Sequence, residues 1–398
     1  MAADLFNTRD RLDTAPSRHG ESTFEFLDRV AGPVWDQCRA LITGWLSDYP
    51  ESDRTALRAR LRSTDDHVFT SAFWELYLHE MYRRDGWTVL IEPSVPDSDN
   101  RPDFLVSKDD HRYYVEARCT LEAADRGAVG RLQAVYAALD SINSGAFHLA
   151  VTVVHVGANS PPTRALRRSL EAWLAELDPD AESYGLGLDD PARRFDWTHE
   201  DWALTFQPIP RRADVRGTPA ERPLGAFIPS EASVIDDVGS LREALRDKGS
   251  KYGALDYPLV LAINVGSGFH DDRDTLQALY GTIGWTIDFD NPIAEATPVI
   301  TQAGFWGPPG RPTRTHIAGM LLAEGLHYGR VARYSPAFWA HPAAPEGIVE
   351  VPIWRTPILG GDEVDYSRPE RAPHVHFGLP EGWPLGEPFP RRTERSSD

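Results

Sequence analysis

Lysine is nearly missing from this chain. Only Lys108, Lys248 and Lys251 are lysine among its 41 basic residues, so any chemistry that needs an amine must draw on these three. Cysteine is almost as scarce. Cys38 and Cys119 cannot build a disulfide framework, nor a zinc site unaided, and a reducing, cytoplasmic setting is the natural expectation. No apolar run approaches the ~20 residues that a membrane span requires, and the strongest, Pro258 to Val265, is strand-sized, so no membrane partner is expected. Met1 to Asp13 is polar and acidic, unlike a secretory or transit leader. Net positive charge is lacking too: the formal charge is -19. That argues against non-specific adhesion to nucleic acid, and a DNA partner would have to meet a local basic face helped by divalent metal. Arg164, Arg167 and Arg168, then Arg211, Arg212 and Arg216, then Arg311 and Arg314 could form such a face, although each group reads equally well as solvated surface charge.

What is present is ordinary globular material, 41% hydrophobic and 25% charged in 398 residues, enough for two or three domains. Residues 22–64 read as helices, with an apolar stripe through Phe24, Phe26, Leu27, Val30 and Val34. A longer helix is expected from Asp66 to Tyr82, capped by Asp65 or Asp66 and stopped by Gly86. Strands follow at Trp87–Glu92, Pro102–Ser107 and Arg112–Thr120, the last two forming a hairpin across Lys108, Asp109 and Asp110. A helix from about Val129 to Asn143, a strand at Phe147–Val156 and a helix at Thr163–Leu177 continue the pattern as a mixed α/β layer. Further on, strands are expected at Trp202–Ile209, Leu224–Ile228 and Leu259–Val265, the last a buried strand that could extend the sheet, and helices at Leu241–Tyr252 and Asp271–Tyr280. Beyond Thr282 the chain is rich in proline, glycine and tryptophan, with short strands near Thr297–Ile300 and Val349–Trp354.

The hairpin carries the chemistry. Asp103 opens one strand and Glu116 lies on its neighbour. Alternation puts Tyr114, Glu116 and Arg118 on one face and the apolar set Val115, Ala117 and Cys119 on the other, which is expected to meet the core. Two carboxylates held about 4 Å apart repel by roughly 4 kcal/mol at an effective dielectric of ~20. Either one is protonated or a cation sits between them. Mg²⁺ suits a few carboxylates completed by water and phosphate oxygens, and it supplies what phosphodiester cleavage needs.

Pro102-Asp103 followed, after a turn, by Glu116-Ala117-Arg118 resembles the signature of the PD-(D/E)XK nuclease superfamily, which includes many restriction endonucleases. The resemblance covers about residues 66–156. Over its whole length the chain also resembles bacterial proteins built around this core. It implies a restriction-endonuclease-like mixed sheet flanked by helices, with an N-terminal helical segment (1–64), the core (65–180), an α/β extension (181–282) and an irregular β-rich C-terminal region (283–398). It implies that Asp103 and Glu116 bind Mg²⁺, or Mn²⁺, with the Ala117 carbonyl as a further ligand. Glu75, in Phe73-Trp74-Glu75-Leu76, stands where that superfamily often has an extra acid, and Gln133 and Tyr136 where some members place a polar motif. DNA is the implied substrate, in defence against foreign DNA or in DNA processing, with a homodimer or a protein partner as further expectations.

The chain departs from the pattern at one position. The superfamily has lysine where Arg118 stands, and arginine supplies charge and hydrogen bonds but cannot transfer a proton. Three accounts compete. Arg118 acts as an electrostatic clamp; or a lysine has migrated to the helix carrying Lys248 and Lys251, with Lys251 ahead and Lys108, at the far turn, the poorer candidate; or catalysis is lost and the fold serves as a nucleic-acid- or protein-binding module. The migrated lysine is the account carried forward. Elsewhere, His374-Val375-His376 would put two imidazoles on one face of a strand, without a third metal ligand. His79 shares a helix face with Glu75. Gly304–Gly310 reads as a turn, and Trp306, Tyr334 and Trp339 as core aromatics rather than base-stacking ones.

Overall fold

A computed structural model describes residues 4–18, 20–96, 98–120, 131, 132, 134–136, 138, 139, 141, 142, 145–180, 194–211, 213, 216, 224–229, 241, 255–266, 272–286, 297–308, 310–343, 348–360 and 363–389. Its helices are α1 (Thr23–Arg29), α2 (Pro33–Asp48), α3 (Glu51–Leu61), α4 (Asp66–Arg84), α5 (Thr163–Ala175), α6 (Asp272–Tyr280) and α7 (Pro373–Phe377). Its strands are β1 (Thr88–Ile91), β2 (Phe104–Lys108), β3 (His111–Thr120), β4 (Phe147–His155), β5 (Phe195–His199), β6 (Trp202–Pro210), β7 (Leu224–Pro229), β8 (Leu259–Val265), β9 (Gly281–Thr286), β10 (Thr297–Ala303), β11 (Ile317–Glu324), β12 (Ala337–Ala340), β13 (Pro357–Gly360) and β14 (Glu363–Tyr366). The chain divides into two compact units. One comprises Met1–Ser17, Ser22–Glu122 and Asp236–Asp398, the other Arg18–Glu21 and Ala123–Ile235.

The first unit is α/β, as expected. Its six-stranded sheet runs β1-β2-β3-β8-β11-β12. β3, β8 and β11 are parallel, and the outer pairings are antiparallel. All seven residues of β8 are buried, as a strand covered on both faces requires. Helix α4 packs on one of those faces. Asp65 caps it, accepting hydrogen bonds from the N–H groups of His67 (2.9 Å) and Val68 (3.4 Å), and Gly86 ends it in a left-handed conformation at φ 83°. Trp74 Nε1 on this helix donates to the Ala262 carbonyl of β8 at 3.0 Å, which fixes helix to sheet. The apolar side of β3, through Tyr113, Val115 and Cys119, joins that core. The opposite side is covered as well. Tyr114 packs there with Leu261, Ile263, Met320 and Trp339, so the face holding Glu116 is no solvent face.

The second unit interrupts the first between β3 and β8. Its four-stranded sheet runs β5-β6-β4-β7. β6 alternates buried Trp202, Leu204 and Phe206 with half-buried residues, and α5 lays Leu166, Leu170 and Leu174 on the same core.

These facts revise several expectations. The strand at 147–155 does not extend the hairpin's sheet, because it pairs with β6 and β7. The strand beside β3 is β8, more than a hundred residues further on, which bears out the expectation that 259–265 could extend the sheet. The described residues of the segment expected to continue the core, from 131 to 180, therefore belong to the second unit, and the C-terminal third supplies β11 and β12 to the central sheet of the first. Val349–Trp354 forms turns rather than a strand. The helix expected at 241–252 lies almost wholly outside the described residues.

Strand β11 was not expected from sequence, since Ala-Gly-Met-Leu-Leu-Ala suits a helix by propensity. Close packing decides it. A Cβ on Gly319 would lie 2.5 Å from Phe338 Cζ and 2.8 Å from the Trp339 carbonyl of β12. Gly319→Val, favourable by strand propensity, is therefore expected to destabilise the protein by about 1–3 kcal/mol, read as a lower urea midpoint. An unchanged or higher midpoint contradicts this packing.

Candidate functional site

Strand β3 outruns its partner β2. The register pairs Lys108 with His111 and Phe104 with Val115, so Glu116 and the residues after it extend past the start of β2. Tyr114 N donates to Pro258 O on the β8 side at 2.8 Å. N–H groups alternate along an extended strand, so Ala117 N points toward β2, where the backbone ladder has ended. Asp103 fills that vacancy with its side chain. Its Oδ2 accepts from Ala117 N at 2.6 Å, while its carbonyl accepts from Glu92 N at 2.9 Å. Glu92 adopts a left-handed φ of 42° there. Because Ala117 N is bonded to the Glu116 carbonyl carbon, Asp103 Oδ2 lies within about 5 Å of the Glu116 Cα.

Glu116 is 2% exposed. It sits opposite Leu261 in the β3–β8 register, with Arg118 two residues on, opposite Ile263, on the same face. A carboxylate this deep persists only with partners. The Asp103 carboxylate is thereby held at the backbone of the segment that bears Glu116, as a side chain capping a frayed ladder.

Glu75 belongs to the same neighbourhood but is committed elsewhere. Arg60 of α3 holds it in a two-pronged bridge, Nη1 to Oε1 and Nη2 to Oε2, each 2.5 Å, with Glu75 only 14% exposed. Electrostatics tie the two acids to one region. Burial pushes the Tyr49 hydroxyl up, Glu75 and Asp103 add to the rise and Arg60 opposes it. Burial also pushes the Cys119 thiol up to about 12, against a hydrogen bond with Ser71 and with a contribution from Glu75.

Other candidates are placed elsewhere. Lys108 Nζ is bound to Asp85, at 2.8 Å from Oδ2 and 2.7 Å from its carbonyl, at the far turn of the hairpin. That is roughly 17–23 Å along β3 from Glu116 and Arg118. Lys248, Lys251 and Gln133 lie outside the described residues, and Tyr136 falls in the second unit. The His374–His376 segment is the helix α7 rather than a strand, so its imidazoles do not share a face. His376 Nε2 pairs with Met81 O at 2.9 Å, and burial lowers its pKa. Trp306 and Trp339 are core residues, as expected. Arg216 pairs with Asp180 at 2.6 Å and Arg314 bonds Phe305 O at 2.7 Å, so both have structural partners.

Carboxylate oxygens are the donors that a hard divalent ion takes, and by that chemistry Asp103 and Glu116 suit Mg²⁺ with water and phosphate completing the shell. Glu75 does not close the set while Arg60 holds both its oxygens. Among the described residues no group of three or more His, Cys, Asp and Glu side chains is arranged to hold a metal ion. Comparison with protein-family models, curated proteins and solved structures found no match.

Sequence reasoning missed Arg60 as a neighbour of these acids. Nothing in the spacing of α3 distinguishes it from the arginines around it.

His79, one turn beyond Glu75, does not bond it. Its ring packs against Tyr49 at a tilt of 51° with centroids 4.7 Å apart, Nδ1 has no hydrogen-bond partner among the described residues, and the residue is 3% exposed. Burial lowers its pKa from 6.5 to about 4. The fold therefore favours neutral His79, and its stabilisation is complete above pH 6.5. It drains away as the unfolded chain takes up a proton between pH 6.5 and about 4, for a total of about 3 kcal/mol. Glu80, whose carboxyl burial would raise but Arg83 and Arg84 hold below its ordinary range, loses stabilisation in the same direction. The informative comparison is thus with His79→Phe, whose urea midpoint is expected to fall less over pH 6.5 to 4. Parallel curves for the two proteins contradict a neutral, buried His79.

Proposed function

We propose that this chain is a Mg²⁺-dependent DNA nuclease of the restriction-endonuclease-like type, acting in defence against foreign DNA or in DNA processing. The observation that carries the reading is the hydrogen bond from Ala117 N to Asp103, which draws the Asp103 carboxylate to the strand segment bearing Glu116. It is supported by the order helix, strand, Asp103 at the entry to a second strand, turn and a Glu116-bearing third strand through α4, β1, β2 and β3.

Asp103 and Glu116 would hold the ion, with Mn²⁺ as a substitute, and the Ala117 carbonyl, on the same side of β3 as its N–H, is a third oxygen within the same turn of chain. When bound, the ion neutralises phosphate charge and lowers the pKa of a coordinated water. Arg118 shares the face of Glu116 and brings fixed positive charge that no pH in the working range removes. The covered faces of β3 keep bulk water from screening these charges.

A second reading, a nuclease fold that binds DNA or a protein without cleaving, draws on two observations: arginine at 118 and the commitment of both Glu75 oxygens to Arg60. One assay separates the two. Supercoiled plasmid incubated with Mg²⁺ or Mn²⁺ is expected to be nicked or linearised by the wild-type protein. Asp103→Asn and Glu116→Gln are expected to be slower by on the order of 10²–10³-fold or more, since each removes several kcal/mol of charge stabilisation. Equal degradation by wild type and both variants would assign the cleavage to a contaminant and end the hydrolase reading. Binding without cleavage would favour the second.

A further inference from the structure

Arg60 lies in α3, ahead of the residues that carry the nuclease resemblance, yet it is the cation attached to the candidate site's acids. Its two terminal nitrogens grip both oxygens of Glu75 at 2.5 Å, so the guanidinium plane is set by a fork rather than by a flexible stem. A guanidinium has five N–H donors, and this fork uses two of them. The Arg60 guanidinium makes no other hydrogen bond among the described residues, and the side chain is 41% exposed while that of Glu75 is 14%. One edge of the group is thus anchored inward and another faces solvent. Asp103 is the second acid within its electrostatic reach, together with the buried Tyr49. A partly exposed cation locked to Glu75, with Asp103 in electrostatic reach, is placed to meet a phosphodiester, because the phosphate brings further negative charge to the same place.

Resting on the nuclease reading, we propose that Arg60 is a substrate-binding residue of this site, held by Glu75 and offering its outward N–H groups to a DNA phosphate next to the one at Asp103. Glu75 is then a positioning residue acting through Arg60. The N-terminal helices become part of the site rather than an accessory to it, and the cation missing from the usual lysine position is supplied in part from α3.

The test is equilibrium binding of a short fluorescent duplex DNA in Ca²⁺ across a salt series, with the full chain. Removing one cation that neutralises a phosphate makes the slope of log Kobs against log salt shallower by about 0.9. Arg60→Gln is expected to show that change with weaker binding, and Arg60→Lys, which keeps the charge, to retain most of the wild-type slope. A purely architectural ion pair would lower the urea midpoint of Arg60→Gln and leave its slope unchanged, and that outcome overturns the proposal. Should Arg60→Gln fold poorly, the double variant Arg60→Gln with Glu75→Gln keeps a hydrogen-bonded pair without charge. It is expected to show the same shallower slope, and a wild-type slope overturns the proposal. A wild-type protein that binds no DNA overturns both this role and DNA as substrate. A wild type that binds with the Arg60-dependent slope but leaves plasmid intact supports the phosphate-binding role and removes only the hydrolysis.

Discussion

Strand β3 is ten residues long and its antiparallel neighbour β2 only five, so the later part of β3 must find its hydrogen bonds on that side without a strand. Pro102, with no N–H to donate, stands where β2 would otherwise begin to continue the ladder. Asp103 resolves the mismatch with its carboxylate on Ala117 N. A buried amide left without an acceptor costs about 1–3 kcal/mol, so the pairing is enforced by backbone satisfaction as much as by any function. The consequence reaches further than one hydrogen bond. It turns an acid at the mouth of a strand toward the strand that carries Glu116, and the apolar residues of β8 opposite β3 close the space on both faces.

Each well-buried acid of the first unit is handled differently, and the contrast separates architecture from chemistry. Glu80 is fully buried and answered by Arg83 and Arg84 on its own helix. Asp85 joins Lys108 of the hairpin to Arg371 near the C-terminus, tying distant segments to one turn. Removing one partner from such a pair strands a charge, which is why they are kept. Asp103 accepts from a backbone N–H, a neutral donor that orients a carboxylate. Glu75 lies between these cases, cancelled by a cation that is itself half in solvent. The scarcity of lysine fits this economy, since planar arginine forks fix an acid's orientation as well as its charge.

Much of the first unit was legible because its signals are local. Helix α4, the hairpin β2–β3 and the strand β8 follow from capping, alternation and an uninterrupted apolar run, and the two acids were identifiable by their place on the hairpin. The register that brings them together was not. It depends on where β2 stops, and a proline two residues before the first paired position leaves that stop only partly specified. The arginine partner of Glu75 was illegible for another reason. α3 and α4 meet by tertiary packing, and any of several arginines on α3 could have faced the acid.

Sequence by itself settled the class of elements, the lack of long apolar runs and the short list of amines, and it singled out the pair of acids, because each depends on composition or on local spacing. Tertiary structure alone decided which strand lies beside β3. Both 147–155 and 259–265 were candidates to join its sheet, but the former bury their apolar face in a second sheet, and β8 and the unforeseen β11 take the central places. Strand partners are chosen by which apolar faces can be covered together and by backbone groups that must be paired, and neither quantity is a property of a segment read alone.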